Sequence, residues 1–241
     1  MTLAFALRGC NGLVLGSDSR MSGQQGSADT STKFLQINRE IGVLTYGSAE
    51  AGYKAITKLY DSVNKTSEFS TTQVKRLVYF TEIANEAERI FKETYQEWIS
   101  KLEKAGQKIK PNDPRFATGF ILAGYDANET NQFKVLWWDS THDFQRAERP
   151  DILAAQWFVS QYLVANLYYP EMTVEQLKRL GVFLLVETEI VSPSVGGQVQ
   201  MATVALESGF QRLNEKEVQE IIDENQWRFA EFRKILLDEL R

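Results

Sequence analysis

The chain has 241 residues, of which 43% are hydrophobic and 24% are charged, a composition typical of a globular protein. Its net charge of −5 disfavours nucleic acid and anionic membranes as partners, because both attract basic surfaces. The single cysteine, Cys10, excludes an internal disulfide and a multi-cysteine metal cluster, which fits a reducing compartment. No apolar stretch reaches the length of a membrane span, and the N-terminus lacks the basic region of a secretory signal. We therefore expect a cytoplasmic protein.

The first 47 residues are predicted to form four strands. Large apolar residues alternate with smaller ones over 3–7, which is typical of a strand. Asn11-Gly12 between apolar segments predicts a tight hairpin, because both turn positions of such a hairpin need positive φ. Residues 33–37 and 41–46 predict a second hairpin.

The spacing of apolar residues then changes to that of helices. They recur every three or four positions from Ala49 to Val63 and from Leu77 to Leu102, which predicts two helices. Ala105-Gly106 marks the expected end of the second helix. The pattern therefore predicts a helical block directly after the opening strands.

The second half of the chain is predicted to contain strands over 120–125 and 133–138, a helix over 151–167, a helix that begins at Thr173, a strand over 199–206 and a last helix near 214–240. Thr173 and Gln176 have the spacing of a capping box. Because strands and helices are grouped in blocks, the order favours α+β layers over alternating βαβ units. No linker interrupts the chain, so we expect one domain over 1–241.

Several kinds of catalytic site lack the residues that they need. His142 is the only histidine and lies in a polar segment predicted to be a surface loop, which disfavours a Ser-His-Asp triad and a Cys10–His142 dyad. Neither a zinc-ligand cluster nor a glycine-rich phosphate motif occurs, so no metal or cofactor is predicted. The catalytic chemistry that is not excluded uses threonine, lysine and aspartate side chains. A threonine at a free N-terminus can use its own α-amino group, with a pKa of about 7.7–8.0, as the base.

Four segments at fixed spacing resemble the proteasome β-subunit family: Thr2, GLVLGSDSR with Asp18, TSTKFLQIN with Lys33, and LTYGSAEAG with Gly47. The later segments FATGFILAGYD and SVGGQVQMATV resemble the central strands and the glycine pair of that family. A longer segment near 92–115 and the C-terminal helix near 214–240 are closer to bacterial proteasome-related groups such as Anbu-like proteins. The resemblance implies an N-terminal-nucleophile (Ntn) hydrolase fold, a four-layer αββα sandwich of two antiparallel sheets flanked by helices.

The same resemblance implies four catalytic roles. Thr2, freed by removal of Met1, matches the nucleophile and supplies the basic amine. Lys33 matches the lysine that lowers the pKa of the threonine hydroxyl, and Asp18 matches the acid that holds this lysine. The N–H of Gly47 matches the donor of the oxyanion hole.

Other positions are matched to supporting roles. Arg20 matches a family arginine near the site, with a structural role more plausible than a chemical one. Met21, Ser31 and Thr45 match residues of the first specificity pocket, which would be medium-sized and uncharged.

The implied function is that of a threonine-type endopeptidase, which cleaves polypeptide substrates through an acyl-enzyme inside a homo-oligomeric ring. An ATPase or another regulator is left open as a partner. Two segments depart from the family, because 152–156 lacks a serine-glycine run and 192–197 lacks an aspartate. An inactive structural ring subunit and an Ntn transpeptidase or amidohydrolase therefore remain alternatives. Aromatic residues of the long helices are expected either at subunit interfaces or packed on the sheets: Tyr95, Trp98, Trp227, Phe229 and Phe232.

Overall fold

A computed structural model of the protein describes residues 3–23, 26–28, 33–64, 79–110, 113–126, 132–154 and 158–239. The strands are β1 Ala4–Arg8, β2 Leu13–Asp18, β3 Met21–Gly23, β4 Gly26–Ala28, β5 Phe34–Gln36, β6 Ile41–Gly47, β7 Thr118–Tyr125, β8 Phe133–Asp139, β9 Ala147–Glu148, β10 Asp151–Ala154, β11 Val199–Ala205 and β12 Gly209–Arg212. The α-helices are α1 Ala49–Asn64, α2 Phe80–Lys104, α3 Phe158–Leu167, α4 Val174–Val191 and α5 Glu215–Glu239.

Ten of these strands form two antiparallel sheets. The first sheet has the order β10-β1-β2-β11-β12, and the second has the order β5-β6-β7-β8-β9. The predicted hairpin of β5 and β6 is confirmed, with Phe34 opposite Leu44. The short hairpin of β3 and β4 was not predicted.

Three apolar layers separate the elements. One lies between the sheets and contains Leu15 of the first sheet and Leu44 of the second. Helices α1 and α2 cover the outer face of the second sheet, and α4, together with parts of α3 and α5, covers the outer face of the first. The predicted αββα sandwich is therefore confirmed.

Strand β1 shows how the sequence pattern builds these layers. Ala4 and Ala6 face the other sheet, whereas Phe5 faces the helices, as the alternation predicted. A Cβ atom placed at Gly16 or Gly181 would lie within 3 Å of the Phe5 ring. These two glycines therefore make room for the ring between β2 and α4.

The turn between β1 and β2 lies at the predicted place but has another geometry. Neither Asn11 nor Gly12 has a positive φ, and the Gly9 N–H donates to the Gly12 carbonyl oxygen at 2.8 Å. A Cβ atom at Gly12 would lie 2.6 Å from the Val204 carbonyl oxygen, so close approach of the backbone requires the glycine. Asn11 accepts the Val174 N–H at 2.8 Å and so connects the turn to the start of α4.

The predicted helix over 151–167 is wrong in its first turn. Asp151–Ala154 forms strand β10, and the described helix begins at Phe158. Ile152 packs between the sheets, whereas Leu153 packs against the helices, which is the alternation of a strand. The cause is tertiary, because β1 offers a free edge and Leu7 pairs there with Asp151.

The remaining helix predictions hold within a few residues. Thr173 and Gln176 form the predicted capping box at the start of α4. Asn214 and Glu217 exchange the same pair of bonds at the start of α5, at 2.8 and 2.9 Å. Leu77 lies outside the described residues. Within the described residues, none of the helices combines the length and the apolar character needed to cross a membrane.

Some of the aromatic residues of the long helices pack inside the chain, and the expectation of subunit interfaces stays a prediction. Tyr95 packs on Phe144 and Trp98 packs on Phe116, with ring centroids 5.3 and 5.9 Å apart. Trp227 is 65% exposed. The side chains of Phe229 and Phe232 lie outside what the structure describes.

Candidate active site

A buried ion pair joins the two sheets at one end. The ammonium of Lys33 lies 3.0 Å from Asp18 Oδ1 and donates to the Arg20 carbonyl oxygen at 2.7 Å. Asp18 ends β2 of the first sheet, and Lys33 directly precedes β5 of the second. Their side chains are only 3% and 8% exposed. The structure therefore brings together two residues that were predicted to act as a pair.

The same carboxylate is bonded to the backbone of Leu3. The Leu3 N–H donates to Asp18 Oδ1 at 3.0 Å, and the Asp18 N–H donates to the Leu3 carbonyl oxygen at 3.2 Å. The Leu3 nitrogen is covalently bonded to the carbonyl carbon of Thr2. Thr2 itself lies outside the described residues, but the Asp18 carboxylate is bonded to the next residue in the chain.

Asp18 is held from a third side by the glycine pair. The Gly196 N–H donates to Asp18 Oδ2 at 3.3 Å. Burial raises the pKa of the Asp18 carboxyl above its ordinary value, and the charge of Lys33 with the N–H groups of Gly196 and Leu3 opposes that rise. The carboxylate thus receives one ammonium and two backbone donors in a site shielded from water.

Arg20 holds the loop that carries Gly196. Its Nη1 donates to the carbonyl oxygens of Pro193 and Val195 at 3.1 and 3.0 Å, and its N–H donates to the Gly196 carbonyl oxygen at 2.9 Å. Gly196 has a φ of 148°, and a Cβ atom there would lie 2.4 Å from Glu189 Oε1. The positive φ favours glycine here, and Arg20 binds the loop whose Gly196 amide donates to Asp18.

Gly47 ends strand β6 near the ion pair. The Thr45 N–H donates to the Lys33 carbonyl oxygen at 2.9 Å, and Gly47 lies two residues, or about 7 Å, further along the strand. Its φ is 86°, and a Cβ atom there would lie 2.0 Å from the Ala117 carbonyl oxygen. Glycine is therefore required by both conformation and space. The oxyanion-hole role of its N–H stays a prediction.

Of the three residues predicted to line the specificity pocket, the structure describes the side chain of Thr45 alone. Thr45 is buried, its hydroxyl donates to the Gly119 carbonyl oxygen at 3.3 Å, and its side chain packs against Gly52 of α1. Met21 lies in β3, but its side chain is outside what the structure describes, and Ser31 lies wholly outside it. The pocket therefore stays a prediction.

The two segments that depart from the family pattern can be located in part. Ser192 and Ser194 hydrogen-bond to each other through their hydroxyls at 3.0 Å, beside the loop held by Arg20. Of the segment 152–156, the first three residues belong to β10, and the other two lie outside the described residues.

Three participants were missed from the sequence. The backbone of Leu3 was not considered, the glycine pair that contains Gly196 was noted without a contact to Asp18, and Gln200 was passed over. Gln200 Oε1 accepts the Lys33 N–H at 3.4 Å, and Gln200 is 6% exposed. A glutamine in the apolar strand VQMATVA was the available signal, because a buried polar side chain needs a partner.

The two side chains that were excluded as catalytic residues are both exposed. His142 is 61% exposed, as predicted for a surface loop, and Cys10 is exposed as well. Among the described residues, no group of three His, Cys, Asp or Glu side chains is placed to hold a metal ion.

Two antiparallel sheets between helical layers form a four-layer αββα sandwich, which is a proteasome-related fold. Anbu (ancestral beta-subunit) from Yersinia bercovieri has this fold with a TM-score of 0.71, at 15% identity over 98% of this chain and 96% of that one. Anbu from Hyphomicrobium sp. strain MC1 matches with a TM-score of 0.67, at 15% identity over 97% and 96% of the two chains. No protein-family model and no curated protein matches the chain. At these identities the likeness is one of fold, and it agrees with the resemblance found in the sequence.

Proposed function

We propose that the protein is a threonine-type peptidase in which Thr2, exposed by removal of Met1, is the nucleophile. The observation that carries this proposal is the shared oxygen of Asp18, which accepts both the Lys33 ammonium and the Leu3 N–H at 3.0 Å. Leu3 directly follows Thr2, and consecutive Cα atoms are about 3.8 Å apart. The Asp18 carboxylate is therefore bonded to the residue next to the proposed nucleophile.

The chemistry follows from these groups. The α-amino group of Thr2 takes the proton of its own hydroxyl, and Oγ1 attacks the carbonyl carbon of a peptide bond. The positive charge of Lys33 favours the alkoxide, and the Gly47 N–H stabilises the oxyanion, an effect worth about 2.7–4 kcal/mol for one such donor. The proton passes to the leaving amine, an ester forms on Thr2, and water then hydrolyses the ester with the amine again as the base.

The proposal includes assembly. A closed ring of identical subunits would enclose the threonine sites and restrict access to unfolded polypeptides. One structural neighbour, Anbu from Yersinia bercovieri, is an ancestral beta-subunit, and this likeness supports assembly with further subunits. Trp227, exposed on α5, is suited to a subunit interface, where aromatic residues are enriched.

An intact-mass measurement tests the proposed nucleophile. We expect the purified protein to lack Met1 and to gain one adduct per chain when treated with an electrophile directed at N-terminal threonine. The Thr2→Ala protein should gain none. An unprocessed chain, or an adduct that persists in Thr2→Ala, would show that another group reacts.

An inactive structural ring subunit is the second candidate. It is favoured by two departures from the family pattern, because 152–156 lacks a serine-glycine run and 192–197 lacks an aspartate. This candidate predicts a stable ring in light scattering, no adduct on Thr2 and no peptide cleavage. Both candidates predict a ring, so the Thr2 adduct and the peptide-cleavage assay are the measurements that separate them.

A further inference from the structure

Gln200 connects the two sheets at the end that holds the ion pair. It lies in β11 of the first sheet, and its side-chain oxygen accepts the backbone N–H of Lys33, which leads into β5 of the second sheet, at 3.4 Å. Gln200 is 6% exposed, so water has little access to this bond. The bond is therefore a buried polar link across a largely apolar interface.

Lys33 is consequently held by the first sheet at both of its ends. Gln200 binds its backbone nitrogen, while Asp18 and the Arg20 carbonyl oxygen bind its ammonium at 3.0 and 2.7 Å. A lysine side chain has four rotatable bonds and would otherwise lose its orientation readily. With its backbone and its ammonium both fixed, the side chain has one defined path between the sheets.

Ser17 adds a second polar side chain beside Gln200. The two residues are directly opposite each other on β2 and β11, and cross-strand partners project to the same face. Ser17 is fully buried, and its hydroxyl has no hydrogen-bond partner among the described residues. The apolar layer between the sheets, which includes Leu15 and Ala202, thus becomes polar at the position of Lys33.

We infer that Gln200 is a positioning residue for Lys33, because its side-chain oxygen holds the Lys33 backbone so that the ammonium meets Asp18, whose carboxylate is bonded to the Leu3 N–H. The inference rests on the proposed threonine peptidase function for its effect on catalysis. The hydrogen bond itself can be tested without any catalytic activity.

The test compares three variants of the full-length protein. Gln200→Met keeps the length of the side chain but removes the acceptor, and Gln200→Glu keeps an acceptor oxygen in either protonation state. Gln198→Met is the matched control, since Gln198 is exposed and its side chain binds Glu215 at 2.6 Å. Steady-state cleavage of an unstructured peptide gives kcat and KM, and hydrogen exchange on overlapping peptides gives the protection of the Lys33 amide.

For Gln200→Met we expect kcat to fall about 10- to 100-fold with KM unchanged, as for a misplaced catalytic group. The Lys33 amide should exchange faster than the other amides of β5 and β6. Gln200→Glu should restore both values, and Gln198→Met should change neither.

Several results would overturn the inference. One is a kcat of Gln200→Met equal to that of the wild type, and another is an unchanged exchange rate of the Lys33 amide in this variant. A third is faster exchange throughout both sheets with unchanged kcat, which would indicate a merely structural role. If the wild-type protein cleaves no peptide, the proposed function fails. Exchange at Lys33 then decides alone whether Gln200 holds this backbone.

Discussion

The backbone of Leu3 and the carboxyl residue Asp18 bind each other reciprocally, with the Leu3 N–H on Asp18 Oδ1 at 3.0 Å and the Asp18 N–H on the Leu3 oxygen at 3.2 Å. This exchange fixes the start of β1 against the end of β2. Because Lys33 shares the same carboxylate oxygen, a buried ion pair is bonded to the backbone N–H of Leu3, the residue that follows Thr2 in the sequence. The proposed chemistry depends on this arrangement more than on any other contact.

Removal of the nucleophile should separate catalysis from folding. We expect Thr2→Ala to abolish peptide cleavage while the melting temperature and the oligomeric state stay as in wild type, because the hydroxyl is required only for chemistry. Thr57→Ala on α1 is the matched control and should retain full activity. Cleavage of an unstructured peptide by Thr2→Ala at the wild-type rate would refute the assignment.

Breaking the ion pair should cost both stability and activity. In Lys33→Ala the Asp18 carboxyl stays buried without its partner, which is expected to lower the free energy of unfolding by about 3–5 kcal/mol and to abolish cleavage. The double variant Asp18→Asn/Lys33→Met removes both charges and should regain most of the stability without regaining activity. Urea unfolding and peptide cleavage measure the two effects. Activity in the double variant would contradict a catalytic role for the pair.

The glycine pair offers a test of the Asp18 environment. Gly196→Ala places a methyl group 2.4 Å from Glu189 Oε1 and 2.7 Å from the Arg20 guanidinium carbon, at a φ of 148°. We expect a loss of about 1–3 kcal/mol from backbone strain, a further loss from these contacts, and reduced activity as the N–H to Asp18 moves. Gly106→Ala is the control, because Gly106 has a φ of 86° but no atom within 4 Å of the added methyl. It should lose stability through strain alone and keep its activity.

Alkaline unfolding should report on Tyr168. Its hydroxyl donates to the Arg8 carbonyl oxygen at 2.7 Å, and burial raises the pKa of Tyr168 from 10.0 to about 12. Between these values the unfolded chain loses the phenolic proton while the folded chain retains it, so the stability contributed by Tyr168 is fully present below pH 10 and is lost as the pH rises. The difference in unfolding free energy between wild type and Tyr168→Phe should therefore shrink above pH 10. A constant difference across this range would contradict the shift.

Local patterns of the sequence determined most elements of the fold. Alternation over β1 assigned Ala4 to one face and Phe5 to the other, and the spacing of Thr173 and Gln176 gave the start of α4. These predictions succeed because strand pleating and helix capping act between residues a few positions apart. The resemblance that named Asp18 and Lys33 also lay in short segments, and the structure brings these two side chains to 3.0 Å.

Tertiary structure decided the rest, because pairing depends on which partner is available at a distance along the chain. Asp151–Ala154 continues a helical pattern locally, yet it becomes a strand since β1 offers an unpaired edge. Gln200 and Lys33 are far apart in sequence, and only the packing of one sheet on the other lets the side chain of the first meet the backbone of the second. The sequence by itself therefore determined which residues could carry the chemistry, while the contact between the two sheets determined how they are held.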